Sequence, residues 1–420
     1  MSLVAAVFAV YYFCNPKPQH YYDYTFRVAE NFLRGSIAFG EKPPSWLNEF
    51  VPFDGGWYSV FPLGSVLSMI PFAFFKTIGL IAEMPAALIA ALAASAAASF
   101  LFLMADQYEL GRGKKLLLAA GVLFGTWMWT NLAMAGAWQL ALGWAVVGEL
   151  GAIYFTVFRR RPLVAGFFFA LAFGNRTEIL LTAPIFMWLL VRKKSAERCR
   201  PGDEESFAAS LETPPKTEDR KPKTENGFAV GKAQIAALAL FCAAPFVLGV
   251  ATLVYNFVRF DSFADFGYAR IPGVLDEPWY RHGIFSLSYI PLNFREMLYS
   301  PWKRIAEYPY FVPSGFGGSI WWSSPLILFA LRFGARDCVL KYAAWTAIAA
   351  LTFLLWIHGN PGGWQFGYRY AMILLPWIYL ILLETSPRRI TPLEALAYGF
   401  SFLVNAYATY LFFWTDYVKP

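Results

Sequence analysis

The sequence predicts an all-α protein that crosses a membrane many times. Of its 420 residues, 58% are hydrophobic and only 15% are charged, and apolar stretches recur from the first residues to the last. A helical crossing needs about 20 apolar residues, and a soluble surface cannot present so apolar a composition. We therefore expect a bundle of about 10–12 transmembrane helices.

The candidate spans follow the apolar runs in chain order. The first run is short and lacks a basic leader, so we expect it to be the outer part of a first helix. A later run is interrupted by Asn175, Arg176, Thr177 and Glu178, which predicts two half-helices that meet at a polar site. The candidate spans are 2–13, 58–81, 85–105, 115–134, 138–158, 163–191, 233–256, 320–335, 340–357, 369–384 and 391–414.

Short clusters of Lys and Arg lie at the ends of the apolar runs and predict the orientation. Loops rich in these residues stay in the cytoplasm, and their placement as flanks argues against nucleic-acid binding despite the net charge of +7. The cytoplasmic clusters are expected at 159–161, 192–194, 332–336 and 388–389, and the outer loops at 14–57, 257–319 and 358–368.

The stretch between residues 58 and 115 conflicts with this orientation. Two full crossings there would leave Arg112, Lys114 and Lys115 outside. Either one of the two spans is re-entrant or broken by its prolines, or this basic cluster is an exception to a statistical rule.

One segment, 193–232, departs from the apolar composition. It is rich in Lys, Glu, Asp, Pro and Thr and cannot bury enough surface to fold alone. We expect it to be a disordered cytoplasmic linker between an N-terminal membrane module, 1–192, and a C-terminal membrane module, 233–420.

The first outer loop places a carboxylate among aromatic rings. Asp23 follows Tyr22, and Arg27 and Glu30 come about one helical turn apart, so the three charged side chains share a face if the segment is helical. Asp23 is either a general base or a solvated acid paired with Arg27, and the residue types do not separate the two. At the end of the loop, Tyr58 is typical of an aromatic anchor at the lipid interface.

Charged residues in the other apolar and outer segments are also candidates. Arg176 and Glu178 form either a structural ion pair or a site at which Arg176 meets the phosphate of a lipid. Arg369, at the outer end of an apolar helix, either meets a phosphate or snorkels to the headgroups. The largest outer loop contains Asp265 and Tyr268 in a polar and aromatic mixture suited to sugar hydroxyls, whereas its His282 is typical of a surface histidine.

Four stretches together resemble a known family. YYDYTFRVAENFLRG, WYSVFPLGSVLSMIPF, YNFVRFDSFADFGY and GGWQFGYRYAMILLP are similar, in this order and loop placement, to membrane glycosyltransferases of the GT-C superfamily. The likeness is to the protein mannosyltransferase side, glycosyltransferase family 39, whose members use dolichyl-phosphate-mannose. By position, Asp23 matches the acid in that family's first outer loop, but Tyr24 stands where many relatives have a second acid.

The resemblance implies a GT-C-like bundle with extracytoplasmic catalytic loops and an inverting transfer of a hexosyl or pentosyl group. The donor would be a polyprenyl-phosphate sugar, and the acceptor a hydroxyl on a protein, lipid or glycan. Asp23 would be the base, and no metal or other cofactor is expected. The location would be a prokaryotic inner or plasma membrane, with the site facing outward. The expected phosphate-binding residues are Arg369, Arg176 and Arg259, and the expected substrate-binding residues are Tyr22, Glu30, Asp54, Tyr58, Glu178, Asp265, Tyr268, Trp364, Gln365 and Tyr368.

Two functions of other classes remain open from the sequence. A transporter or flippase for a lipid-linked or amphipathic solute also needs charges in a polar cavity. A noncatalytic scaffold or a subunit of polysaccharide assembly would tolerate replacement of its outer-loop acids.

Overall fold

The computed structural model describes residues 2–192 and 231–418, which are mostly helical. The predicted linker, 193–232, lies outside the described residues except for Gly231 and Lys232. The α-helices are α1 (Ser2–Phe13), α2 (Tyr24–Leu33), α3 (Leu63–Leu67), α4 (Ile70–Thr77), α5 (Ala86–Ala105), α6 (Arg112–Phe124), α7 (Met128–Met134), α8 (Ala137–Ile153), α9 (Pro162–Asn175), α10 (Ala183–Val191), α11 (Lys232–Phe260), α12 (Ile290–Leu298), α13 (Ile320–Ser323), α14 (Cys338–Ile357), α15 (Leu375–Thr385) and α16 (Pro392–Trp414).

Shorter helical turns and two small hairpins complete the chain. Strand β1 (Phe50–Phe53) pairs antiparallel with β2 (Gly56–Ser59), and β3 (Lys303–Arg304) pairs antiparallel with β4 (Phe311–Val312). A π-helical turn, Tyr154–Phe158, extends α8. The 3-10 helices are Thr177–Thr182, Tyr268–Arg270, Val274–Asp276, Pro278–Tyr280, Leu287–Tyr289, Pro325–Leu331 and Arg369–Leu374.

The expected polytopic helical membrane protein is confirmed. Among the described residues, five helices are long and apolar enough to cross a membrane, namely α5, α8 with its π turn, α11, α14 and α16. Helices α6 and α7 form a sixth span if they are counted together, with a bend of 50° between them. This count is below the expected 10–12 because several apolar runs fold as short or broken helices. At 320–335, for example, Pro325 comes two residues after the end of α13, and a 3-10 helix replaces a continuous α-helix.

The structure favours one of the two explanations for the conflict between residues 58 and 115. In place of one span at 58–81 it has β2 followed by the short helices α3 and α4, which begin around Pro62 and Pro71. The eight residues of α4 rise about 12 Å, far less than the ~30 Å of a hydrocarbon core. Of the described helices in this stretch, only α5 is long and apolar enough to cross, which supports the alternative of a span broken by its prolines.

Ion pairs gather the predicted basic clusters at one end of the bundle. The fully buried carboxylate of Glu394 accepts hydrogen bonds from Lys114 and, at 2.7 Å, from Arg332. Further pairs join Arg192 to Asp337 and Arg388 to Glu109. We call this the basic end. Helix α14 begins there, next to Asp337, and its 20 residues carry the chain about 30 Å to the opposite end.

Small residues allow the central helices to approach one another closely. A Cβ atom at Gly148 of α8 would overlap the backbone of Ala172 in α9. A Cβ atom at Gly166 of α9 would overlap the carbonyl oxygen of Phe241 in α11. Close backbone contact between small residues is the usual way in which helices associate in lipid.

The predicted outer loops meet at the end opposite the basic end. The β1–β2 hairpin and the loop after α11 share a small core formed by Val51, Phe260, Ile271, Val274 and Tyr280. The same loop is tied to the end of α14 by backbone hydrogen bonds, such as the one from Gly359 to Ile284 at 2.9 Å. The three loops thus form one layer over the helix ends.

Candidate functional site

A cavity of about 740 Å³ lies beneath the layer of outer loops. Its walls come from the first outer loop and the residues just after β2, from the start of α8, from the break between α9 and α10, from the loop that follows α11, and from the end of α14. The polar and rim residues of its lining include Glu49, Trp138, Asn175, Arg176, Glu178, Leu180, Leu181, Asp265, Phe266, Tyr268, Phe285, His358 and Tyr370.

The break between α9 and α10 points two charged side chains into this cavity. Arg176 adopts an extended backbone conformation between α9 and a 3-10 helix, so the predicted half-helices meeting at a polar site are confirmed. Its guanidinium forms an ion pair with Glu178 at 2.6 Å and lies 4.8 Å from the ring centroid of Tyr370. The ion pair expected as a structural alternative is present, and both of its members line the cavity.

Glu49 is an acid of the cavity that no sequence pattern distinguishes from other polar loop residues. It lies directly before β1, and the indole Nε1 of Trp138 donates to both of its carboxylate oxygens at 2.9 Å. Burial raises the pKa of Glu49 to about 7, although the Trp138 hydrogen bond and the positive charges of Arg369 and Arg176 act to lower it. The carboxylate can therefore gain and lose a proton near neutral pH.

Arg369 is not among the residues that line the cavity, but it lies close to Trp138 and Glu49, which do line it. Its side chain is buried, unlike that of a snorkelling arginine, and its guanidinium lies between the rings of Tyr370 and Trp138, at 5.0 and 5.9 Å from their centroids. The side-chain oxygen of Gln365 accepts from its backbone N–H at 2.8 Å. The Nε atom of Arg369 has no hydrogen-bond partner among residues 2–192 and 231–418. Arg369 thus brings a positive charge, and a free donor, close to Trp138 and Glu49.

Asp23, the predicted base, lies next to the cavity rather than in its lining. It precedes α2 and forms the expected alternative ion pair with Arg27 at 3.0 Å, but it is buried and not the solvated acid of that alternative. Burial raises the pKa of Asp23, while Arg27 acts to lower it. The flanking rings of Tyr22 and Tyr24 pack against Trp138, with centroids 5.1 and 5.0 Å from the indole.

Glu30 belongs to the same surface of α2 as Asp23. Its carboxylate pairs with Lys76 at 2.9 Å and with Arg34. These contacts join α2 to α4, so Glu30 acts as a structural residue outside the cavity lining.

The second outer loop contributes two of the predicted substrate-binding residues to the lining. Asp265 pairs with Arg270 at 2.7 Å and accepts the backbone N–H of Gly267 at 2.7 Å. The hydroxyl of Tyr268 lies 2.5 Å from that of Tyr280. Burial raises the pKa of Tyr268, so its hydroxyl remains protonated and available as a donor.

The side chain of Arg259, the third predicted phosphate-binding residue, is held by contacts with other residues of the protein. It is 1% exposed, donates to Asn256 at 2.6 Å and to the carbonyl of Ser59, and stacks 3.8 Å from the ring centroid of Tyr255. These contacts fasten the end of α11 to β2. The structure therefore does not bring Arg259 to the cavity.

The remaining predicted substrate-binding residues also lie outside the lining. Asp54 is exposed at the turn of the β1–β2 hairpin with φ 43°, and Tyr58 packs edge-on against Phe260. Tyr368 is fully buried and donates to the carbonyl of Leu355 at 3.4 Å. The other two are Trp364, which packs on Phe412, and Gln365, which orients Arg369.

The rim of the cavity is formed by apolar residues and opens at the surface of the protein. Leu180 and Phe285 line the cavity and are nevertheless 53% and 55% exposed, and Leu181 and Phe266 are similarly exposed. Leu180 and Leu181 lie in the 3-10 helix that follows the break in this apolar helical segment. The cavity thus has a charged inner end and an apolar opening.

No cluster of metal ligands accompanies these residues. In the part of the chain that the structure describes, no group of three or more His, Cys, Asp or Glu side chains could hold a metal ion. The expected metal independence stays a prediction.

Sequence comparison gives no family for this chain. No protein-family model matches it, and no curated protein matches it.

Two solved structures resemble the fold, both of the oligosaccharyltransferase of the archaeon Archaeoglobus fulgidus. The apo form is 12% identical, with a TM-score of 0.46, and the complex of AglB with an inhibitory peptide and a dolichol-phosphate is 13% identical, with a TM-score of 0.42. Each match covers 97% of this chain and 55% of the other, so the chain spans about half the length of these proteins. Neither match supports the narrower likeness to protein mannosyltransferases.

Proposed function

We propose that the protein transfers a sugar from a polyprenyl-phosphate donor to an acceptor hydroxyl. The observation that supports this function best is the shape and polarity of the cavity, which joins the guanidinium of Arg176 at its inner end to an apolar opening. A polyprenyl-phosphate sugar has a matching polar end and apolar end, because it combines an anionic phosphate and a polar sugar with a long apolar chain.

Arg176 and Arg369 are the residues that we assign to the donor phosphate. Guanidinium groups bind phosphate oxygens through paired hydrogen bonds, and Arg369 retains a free Nε donor. Negative charge grows on the phosphate as it leaves, so fixed cations beside it would stabilise the transition state more than the bound donor. The ion pair with Glu178 keeps Arg176 in place without removing it from the cavity.

The sugar would lie between aromatic rings and hydrogen-bonding groups. Trp138, Tyr268 and Tyr370 offer ring faces or hydroxyls, and Asp265 offers carboxylate oxygens. An acceptor hydroxyl that attacks the anomeric carbon from the side opposite the phosphate gives an inverted product. The attack needs a carboxylate to take the hydroxyl proton, a role for which the sequence proposes Asp23.

The orientation of the site follows from the basic end. Lys and Arg clusters favour the cytoplasm, so the cavity at the opposite end would face outward. We propose the inner or plasma membrane of a prokaryote as its location.

A flippase for a lipid-linked solute would use a similar cavity, but it would leave the donor intact. We would incubate the purified protein in detergent with a panel of radiolabelled polyprenyl-phosphate sugars and a membrane extract as the source of acceptors. Consumption of one donor together with a covalently glycosylated product supports the transferase. Binding of a donor without any product supports the flippase.

Two arginine variants sharpen this experiment. Arg176→Ala should weaken donor binding at least tenfold, because it removes a cation from the cavity. Arg281→Ala is the matched control, since Arg281 is exposed in the second outer loop and outside the cavity lining. Unchanged donor affinity in Arg176→Ala, or no binding of any donor by the wild type, contradicts the proposal.

A further inference from the structure

We propose that Glu49 is the proton acceptor of the transfer reaction and that Trp138 is the residue that positions it. This inference rests on the proposed function and gives Glu49 the role that the sequence suggests for Asp23. It follows from a comparison of the ion-pair and hydrogen-bond partners of the acids at this end of the bundle.

Glu49 differs from its neighbours in its partner. Asp23 is paired with Arg27, Glu178 with Arg176, and Asp265 with Arg270. Within the described part of the chain, the Glu49 carboxylate forms no salt bridge and is held by a neutral indole N–H. A carboxylate in direct contact with a cation holds a proton weakly and is a poor base, whereas a neutral donor fixes the orientation at a smaller loss of basicity.

The geometry leaves the outer side of the Glu49 carboxylate free for a ligand. One N–H group at 2.9 Å from both oxygens occupies only the edge of the carboxylate between them. An ionised carboxylate has about four lone-pair positions, so the others remain open towards the cavity that Glu49 lines. Trp138 is itself fixed, because the rings of Tyr22, Tyr24 and Phe61 pack around it.

The charges around Glu49 suit a group that must accept and later release a proton. Burial raises its pKa, and the guanidinium groups of Arg369 and Arg176 oppose this effect, so neither state is strongly favoured at neutral pH. Tyr24 and Tyr268 lie near enough to interact electrostatically with Glu49, and their hydroxyls remain protonated because burial raises their pKa. Of the other acids that line the cavity, Glu178 is paired with Arg176 and Asp265 with Arg270.

The step that we assign to Glu49 conserves atoms and electrons. The acceptor hydroxyl oxygen forms a bond to the anomeric carbon while its proton passes to the Glu49 carboxylate. The bond between the anomeric carbon and the phosphate oxygen breaks, and its electron pair leaves with the polyprenyl phosphate. Glu49 then releases the proton to solvent once the products leave.

The test compares Glu49→Gln with wild type in the donor-consumption assay, with donor affinity measured separately. A general base contributes about 10²- to 10⁴-fold to the rate, so turnover should fall by that factor while donor affinity changes less than about threefold. Glu41→Gln is the matched control, because Glu41 is exposed in the same loop and outside the cavity lining. A thermal melt of each variant shows whether it is folded.

The outcomes separate this inference from the function on which it rests. Turnover of Glu49→Gln within about threefold of wild type overturns the role of Glu49 but leaves the transferase intact. Loss of turnover in Asp23→Asn together with retention in Glu49→Gln returns the role to Asp23. A folded wild-type protein that neither binds nor consumes any donor overturns the proposed function and this inference with it.

Discussion

Replacing Trp138 by Phe should shift the pH dependence of transfer rather than abolish transfer. The indole N–H stabilises the ionised form of Glu49, and a hydrogen bond to a charged group is worth about 1.5–3 kcal/mol. Because one pKa unit corresponds to about 1.4 kcal/mol, the loss of this bond should raise the pKa of Glu49 by about 1–2 units. The pKa of Glu49 would then move from about 7 to well above neutrality.

The sign of the effect on the rate follows from the role of Glu49 as a base. Only the ionised carboxylate accepts a proton, so kcat/KM of wild type should rise with pH and level off above pH of about 8. In Trp138→Phe the ionised share at pH 7 should fall from about one half to roughly 0.1–0.01, which lowers kcat/KM by about 5- to 50-fold. Raising the pH should restore most of this loss.

The assay is a pH profile of kcat/KM for both proteins, with Trp144→Phe as the matched control. Trp144 lies on the same helix, and its indole nitrogen has no hydrogen-bond partner among the described residues, so its loss should leave the profile unshifted. A loss in Trp138→Phe that is equal at every pH would refute the reasoning, because it would show that Trp138 acts through packing alone.

Three further predictions concern the phosphate site, the basic end and the orientation. Arg369→Lys keeps the charge but loses the planar set of donors, so the donor Kd from binding titrations should rise about 10- to 100-fold, and an unchanged Kd would remove Arg369 from the site. Glu394→Gln leaves the buried Lys114 without its anionic partner, so unfolding in detergent should show a loss of about 3–5 kcal/mol with donor affinity retained; equal stability would contradict this account of the basic end. A cysteine in place of the exposed Asp54 should react with a membrane-impermeant thiol reagent on intact cells, whereas one in place of the exposed Arg389 should react only after permeabilisation. The reverse pattern would invert the proposed orientation.

The sequence predicts the class of fold and the break in the helix because both depend on local composition. Apolar runs define the spans, and the polar residues around Arg176 mark the end of α9 without any knowledge of tertiary contacts. The prolines near residues 62 and 71 account for the short helices that replace a predicted span. What the runs do not reveal is whether each one is long and regular enough to cross.

The candidate site is harder to predict because its members meet only in three dimensions. Glu49 lies in an ordinary polar loop, and its importance comes from Trp138, which is far away in the chain. Arg259 shows the opposite case. An arginine beside an apolar span is a reasonable candidate for binding phosphate, but the guanidinium of Arg259 already donates its hydrogen bonds to Asn256 and Ser59. Residue type and position in a loop indicate which end of the molecule carries the site. Burial and the hydrogen-bond or ion-pair partners of each side chain decide which residues are free to contact a substrate.

The most direct test of the account is photo-crosslinking with a polyprenyl-phosphate sugar that bears a photoreactive group on its lipid near the phosphate. The cavity predicts that labelled peptides come from 176–181 and 264–285, where the apolar rim lies, and that unlabelled donor competes for them. Labelling confined to other segments, or labelling that excess donor does not reduce, would contradict the claim that this cavity binds a lipid-linked sugar.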